Sequence, residues 1–313
     1  MNKRTQSGLR PLSGAPQSLQ QAMAAIGPVW ARNIQQHSDL TKKAYAPLLA
    51  AAPKDGITVT RDIAYGAHPR QVLDVFQPAH CNNAPVAIFV HGGAFIRGDK
   101  RTSDEIYDNV LYWFARHGYL GINVEYRLAP EAAYPGGADD LALAMGWLHA
   151  NVQRHGGDPA RLFLLGHSAG GTHVASYAYD RALGYQGRHV TAMVLISARL
   201  RADQSPENPN AAGVKAYFGD DITQYEARSP VSHVNHVNPG GGDLPVFIVN
   251  AEFENPLLDV YGLELAHKLS IGRRRAPRYL RLTRHNHMSI VAHFNTEEDI
   301  LGREILDFFE TLR

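Results

Sequence analysis

The segment Leu162-Phe163-Leu164-Leu165-Gly166-His167-Ser168-Ala169-Gly170-Gly171 constrains this chain more than any other. Four apolar residues stop at a glycine, and a serine follows two positions later. Two more glycines come next, after which Val174, Ala175, Tyr177 and Ala178 recur at helical spacing. The pattern predicts a buried strand, a cramped turn and a helix. Strand and helix can approach closely only where side chains are missing, so Ser168 must sit at the turn in a sparsely populated backbone conformation. That posture pushes its hydroxyl past the sheet edge. It also places the Ala169 N–H at a helix N-terminus, where it is free to donate. An ordinary strand-to-helix turn could also read Gly-x-Ser-x-Gly in a chain with 28 glycines. A chemical reading therefore requires a base, an acid and a second anion-binding loop elsewhere.

Composition narrows the field without deciding it. The chain has 313 residues, 44% hydrophobic and 19% charged, which is ordinary globular usage for one large domain or two small ones. The net charge of +1 and the pI near 8.0 give no footprint for nucleic acid or an anionic membrane. The short run Arg273-Arg274-Arg275 reads as a solvated turn. Cys81 is the only cysteine, which excludes an internal disulfide and a thiolate metal cluster and suits a reducing compartment. No apolar core follows the basic start Met1-Asn2-Lys3-Arg4, and no apolar run approaches the ~20 residues of a membrane span. A cytoplasmic protein without a membrane span is expected, and homodimerisation is left open.

Along the chain, residues 1–18 read as a loose tail. Residues 19–50 carry helical spacing interrupted at Pro28 and Pro47, which predicts two or three short helices forming either a fixed cap or a lid. Alternating segments at 57–65 and 71–76 predict an antiparallel pair. Segments at 85–90, 121–125, 162–165, 192–196 and 245–250 are apolar throughout and predict buried parallel strands, with a last strand at 279–282. Helical stretches at 103–116, 138–154, 171–182, 257–270 and 297–312 separate them. The alternation predicts an α/β chain with a mainly parallel sheet flanked by helices. It divides into a tail and helical cap segment at 1–56 and a catalytic domain at 57–313. Residues 202–242 read as an excursion between core strands.

His91-Gly92-Gly93-Ala94-Phe95 directly follows the Val86–Val90 strand. Two glycines there expose backbone N–H groups at the same sheet edge as Ser168. Gly93 and Ala94, with Ala169, are the expected oxyanion donors, with Gly92 supporting. His91 is expected to brace the loop. His285, His287 and His293 follow the last strand. His287 is the favoured base because it opens a loop running into a helix, from which it can reach back over the sheet edge. Three carboxylates compete for the acid after the 245–250 strand: Glu254, just before the Asn255-Pro256 break, is favoured, Asp259 could simply begin a helix, and Glu252 could brace the loop. The order Ser168…Glu254…His287 fits a serine nucleophile on this kind of sheet. Asp139-Asp140 reads as helix-opening acids. Metal-ligand and nucleotide-loop patterns are missing, so no cofactor and no metal is expected.

These residues together resemble the hormone-sensitive-lipase-like branch of α/β-hydrolase esterases, from about residue 57 to the end. The resemblance rests on His91-Gly92-Gly93-Ala94-Phe95, Tyr126-Arg127-Leu128-Ala129-Pro130-Glu131 with Tyr134-Pro135, Gly157-Asp158-Pro159, Gly166-His167-Ser168-Ala169-Gly170-Gly171 and the late His287. Two positions depart from the pattern. The family's third loop glycine is Ala94, which keeps its N–H. The usual Asp-Pro-Leu acid motif reads Asn255-Pro256-Leu257, an amide at the aspartate position. The acid loop is also similar to that of arylformamidase (kynurenine formamidase) relatives, a register that falls on Glu254. The resemblance implies a cofactor-free serine carboxylesterase acting on small to medium acyl esters through an acyl-enzyme, with residues 1–50 contributing to a cap. The alternatives are an arylformamidase-like amidase and a non-catalytic ligand-binding protein on the same fold.

Overall fold

The structure, a computed structural model, describes residues 14–234 and 244–312. Most of the expected tail, residues 1–13, and the end of the 202–242 excursion, residues 235–242, lie outside them. In chain order the elements are α1 (Gln17–Ile26), α2 (Ile34–Ala51), β1 (Ile57–Ala64), β2 (Val72–Pro78), β3 (Ala84–Val90), α3 (Asp108–Arg116), β4 (Leu120–Val124), α4 (Gly136–Asn151), β5 (Gly157–His167), α5 (Ala169–Tyr179) and β6 (Ala192–Ile196). There follow α6 (Ala211–Phe218), α7 (Tyr225–Arg228), β7 (Val246–Phe253), α8 (Leu258–Arg273), β8 (Arg278–Asn286), α9 (Ser289–Ala292) and α10 (Ile300–Glu310).

The described residues form an eight-stranded sheet in the order β1-β2-β4-β3-β5-β6-β7-β8. β2 runs antiparallel to β1 and β4, and every other neighbouring pair is parallel. From β3 the chain steps outward to β4, then returns across β3 to β5 and continues toward β8. The sheet therefore reverses its winding between β3 and β5, and the loops at their carboxyl ends diverge there to leave a crevice. Those loops are His91–Phe95 and the Ser168 turn.

Strand alternation splits the core between two faces. Ala87, Phe89, Phe163 and Leu165 point toward α1, α2, α3 and α10, where they pack with Met23, Tyr45, Trp113, Phe114 and Phe309. Val86, Ile88, Val90, Leu162 and Leu164 point the other way, toward Leu141, Leu148, Val174 and Leu265 of α4, α5 and α8. A smaller cluster joins Phe95 of the β3 loop to Val214, Tyr217 and Phe218 of α6. The excursion is thus seated on the loop that follows β3.

Three local expectations are corrected. Pro47 does not interrupt the second helix but lies inside α2. The lost backbone bond is tolerated because Tyr45 and Leu49 on either side are buried in the core. The helix expected from 103 starts only at Asp108, since Ser103 closes its own turn: its N–H donates to the Ile106 carbonyl at 3.0 Å and its Oγ accepts from the Ile106 N–H at 3.1 Å. Asp140 does more than complement a helix dipole. It is fully buried, and its carboxylate accepts from the Arg127 N–H at 2.8 Å, the Arg127 guanidinium at 2.7 Å and Gln71 Nε2 at 2.7 Å.

Candidate active site

Ser168 stands between β5 and α5 at φ 55° and ψ −118°, outside the regions a serine ordinarily occupies. Three backbone hydrogen bonds hold it there. Its N–H donates to the Ile196 carbonyl at 3.0 Å, and its carbonyl accepts from Thr172 at 3.3 Å and Arg199 at 3.2 Å. Arg199 is itself buried and paired with Asp203 at 2.8 Å. The crowding foreseen in the sequence is literal. A Cβ on Gly166 would lie 2.7 Å from the Gly170 carbonyl oxygen, and one on Gly170 would lie 2.3 Å from that of Val90. Ala169 opens α5 and is buried, so its N–H belongs to the group that a helix leaves without an internal partner.

The loop after β3 lies directly against this turn. A Cβ on Gly92 would be 3.0 Å from Ser168 Cβ. Gly93 takes φ 150°, and a Cβ there would overlap the Arg97 carbonyl oxygen at 1.8 Å, so only glycine fits. Ala94 and Phe95 follow at φ 51° and 72°. His91 braces the loop from beneath: Nδ1–H donates to the Gly92 carbonyl at 2.7 Å, Nε2 meets Glu125 Oε1 at 3.1 Å, and the ring stacks on Tyr126 with centroids 4.3 Å apart. Burial pushes the Glu125 carboxyl up, but bonds from His91 and the Lys100 N–H, with the nearby Arg70 charge, bring it below its ordinary value.

His287 sits just beyond β8, and Glu254 just beyond β7. Their side chains are 8% and 3% exposed, and His287 Nδ1–H donates to Glu254 Oε2 at 2.8 Å. Glu254 accepts further bonds from the Ala251 N–H at 2.9 Å, the Asn255 N–H at 3.2 Å and the Ser197 hydroxyl. Four donors thus converge on one buried carboxylate and fix its position. With Nδ1 committed, Nε2 is the ring nitrogen left to exchange a proton. Gly92, Gly93, Ala94, Ser168 and His287 all line one cleft of about 180 Å³.

The competing carboxylates and histidines lie elsewhere. Asp259 begins α8 and accepts from the Val260 N–H at 3.0 Å, while Glu252 accepts from the Arg284 N–H at 2.6 Å. His285 is buried, with Nε2 on Glu298 at 2.9 Å and Nδ1 on the Ser289 hydroxyl at 3.1 Å. This mimics a serine–histidine–glutamate set, but all three side chains are sealed in the core. His293 is wholly buried, and burial lowers it to about 4, with His285 adding to the effect.

Several residues in the site carried no recognisable sequence signal. His167, the unspecified residue of Gly-x-Ser, meets the His287 carbonyl through Nε2 at 2.9 Å and Tyr107 Oη through Nδ1 at 3.3 Å. Burial holds it well below its ordinary range, so the ring is neutral. Asn255, at the position where an acid was expected by resemblance, accepts instead from Trp30 Nε1 at 2.9 Å. Asn286 accepts from the N–H groups of Met288 and Ser289 at 3.0 and 2.8 Å and donates to Thr41 Oγ1 at 3.0 Å. Trp30, Ile34, Gln35, Ser38 and Lys42 form the cleft wall contributed by the N-terminal helices. Position after a strand at the carboxyl edge could have drawn attention to Ser197. Nothing local marks Trp30.

Comparison with known proteins shows what the chain is similar to. Residues 73–183 match the BD-FAE family model. The carboxylesterase NlhH of Mycobacterium tuberculosis is 38% identical over 200 residues, which are 58% of this chain and 60% of that protein. Esterase B from Lactobacillus rhamnosis superposes with a TM-score of 0.69 at 20% identity, over 95% of this chain and 96% of its own. A bacterial heroin esterase superposes with a TM-score of 0.67 at 22% identity, over 94% and 98%. At those identities the structural likeness is one of fold.

Proposed function

We propose that this chain, an α/β-hydrolase by fold, is a serine carboxylesterase acting on small to medium acyl esters. Ser168 is the nucleophile, His287 the base and Glu254 the acid, with the N–H groups of Gly93, Ala94 and Ala169 as the oxyanion hole. The observation that carries the reading is the strained Ser168 turn sharing one cleft with His287, whose other nitrogen is bonded to the buried Glu254. In this reading Ser168 Oγ attacks the ester carbonyl as its proton passes to His287 Nε2, and the carbonyl oxygen takes the negative charge. The N–H donors meet that charge. Collapse breaks the ester bond, and the alcohol leaves with the proton from His287. Water then repeats the sequence on the acyl-enzyme and restores Ser168. The matched carboxylesterase NlhH supports the ester reading. A cleft of about 180 Å³ argues for small groups around the carbonyl.

The test is hydrolysis of 4-nitrophenyl acetate and butyrate by the wild type and by Ser168→Ala. Turnover that survives the substitution sinks the proposal. A second reading, an arylformamidase-like amidase, is favoured by the acid lying one residue before Asn255. It uses the same residues, and turnover of N-formylkynurenine in preference to simple esters would select it.

A further inference from the structure

The reacting groups account for only part of the cleft wall. The remainder mixes apolar and polar side chains, and its fixed charges are of one sign. Its lining includes Lys42 of α2 and Arg97 of the loop after β3, and it includes no aspartate or glutamate. The whole chain carries 31 Lys and Arg against 30 Asp and Glu, so an acid-free wall with two cations departs from its composition. Several arginines are bound to carboxylates, among them Arg61, Arg70, Arg127, Arg199, Arg201 and Arg278. Arg97 is not one of them. Its guanidinium donates to the neutral Asn210 Oδ1 at 3.2 Å, and no carboxylate among the described residues lies within ion-pair distance of it. Lys42 shares its charge with Asp39, a half-exposed residue on the same helix and outside the lining. Glu254, the carboxylate of the site itself, is buried behind His287.

We propose that the substrate carries a carboxylate, taken by Arg97 with Lys42 opposite, while its ester carbonyl lies at Ser168. This rests on the esterase reading of Ser168. Arg97 is only three residues from Ala94, so the loop that offers N–H groups to the oxyanion also presents the guanidinium. A planar guanidinium binds a carboxylate in two parallel hydrogen bonds, which fixes direction as well as adding attraction. A cleft lined by one sign of charge also concentrates ions of the other. The carboxylate can stand on the acyl side or on the alcohol side of the ester, and two substrate pairs separate these cases.

The first pair is the 4-nitrophenyl monoester of glutarate against 4-nitrophenyl pentanoate. The second is 4-acetoxybenzoate against 4-acetoxybenzamide. In at least one pair the anionic member is expected to have roughly tenfold higher kcat/KM, the scale of one well-placed charge contact. Arg97→Gln should lower that ratio about tenfold and Arg97→Lys by less, and added salt should compress it. Preference for the neutral member in both pairs, or a ratio unchanged in Arg97→Gln and Lys42→Gln, overturns the proposal. Binding of the same compounds to Ser168→Ala, followed by tryptophan fluorescence through Trp30 in the wall, does not depend on turnover. If the wild type hydrolyses nothing, the esterase reading fails. Tighter binding of the anionic members then still supports the anion site, and equal or weaker binding removes it.

Discussion

At the scale of single residues, Glu254 and Ser168 make opposite uses of their surroundings. Glu254 is held by four donors and needs no strain, whereas Ser168 stays in a costly conformation because three backbone bonds and the packing of glycines leave no alternative. Replacing Glu254 by Gln should leave the fold intact but remove the charge and one of the two acceptor oxygens that orient His287, lowering kcat/KM for 4-nitrophenyl butyrate by roughly 10³–10⁴. Asp259→Asn, on a helix end away from His287, should change it by less than about twofold. The reverse ranking in a side-by-side assay would transfer the acid role. Strain makes a second prediction. Glycine tolerates φ 55° and ψ −118° but alanine does not, so Ser168→Gly should be more stable than Ser168→Ala by about 1 kcal/mol in urea unfolding, with turnover lost in both. Equal stabilities would mean that the turn stores no strain. The motif residues at this scale were legible because a tight turn and an exposed N–H each demand small side chains in a fixed order. Ser197 and His167 were not, since a serine after a strand or a histidine in a turn suits many structures.

At the scale of elements, the N-terminal helices are tied to the loops that carry Glu254 and His287. Trp30 Nε1 donates to Asn255, the His37 ring meets the Trp30 carbonyl at 2.9 Å, and Thr41 of α2 receives the Asn286 amide. These contacts fit a fixed cap better than a lid that swings free of the cleft. Trp30→Phe keeps most of the apolar bulk but leaves the buried Asn255 oxygen without its donor. It should destabilise the fold by about 1–3 kcal/mol, the usual cost of an unsatisfied buried polar group. It should also lower kcat/KM several-fold, because Asn255 adjoins Glu254. Unchanged unfolding and kinetics would show that the cap does not position the acid loop. Helical spacing at 19–50 was plain in the sequence, but the face each helix would bury against was not. Amphipathic periodicity says that an apolar stripe needs a partner and does not say which.

At the scale of the whole molecule, the buried histidines set the response to acid. His167, His173 and His293 are all held below their ordinary value, chiefly by burial, His173 to about 3 and His293 to about 4. Each is neutral in the fold and takes a proton readily only when unfolded. Between an unfolded value of 6.5 and these lowered ones the unfolded state binds more protons, so stability falls as pH falls. The contribution is fully present above 6.5 and drains away toward 4 and then 3, at up to about 1.4 kcal/mol per pH unit for each ring. Glu125 and Glu298, both lowered, act in the same direction at the acid end. Urea midpoints measured from pH 7 to pH 4 should therefore drop steeply, and a flat profile would contradict the neutral burial of these rings.

What the sequence by itself determined is whatever depends on local sterics and periodicity. It specified the α/β alternation, the antiparallel opening pair, the Gly166–Gly171 turn, the Gly92–Gly93 loop and the order of Ser168, Glu254 and His287, the residues proposed as nucleophile, acid and base. Apolar runs bury as strands, and a cramped backbone admits only small residues, whatever lies around them. Only the tertiary structure decided which carboxylate meets which histidine, that Asn255 accepts from the cap rather than meeting His287, and that Lys42 and Arg97 line one cleft whose lining holds no carboxylate. These are contacts across tens to hundreds of residues. Many side chains of the same type could have made them, and only the order in which the strands pack selects the ones that do.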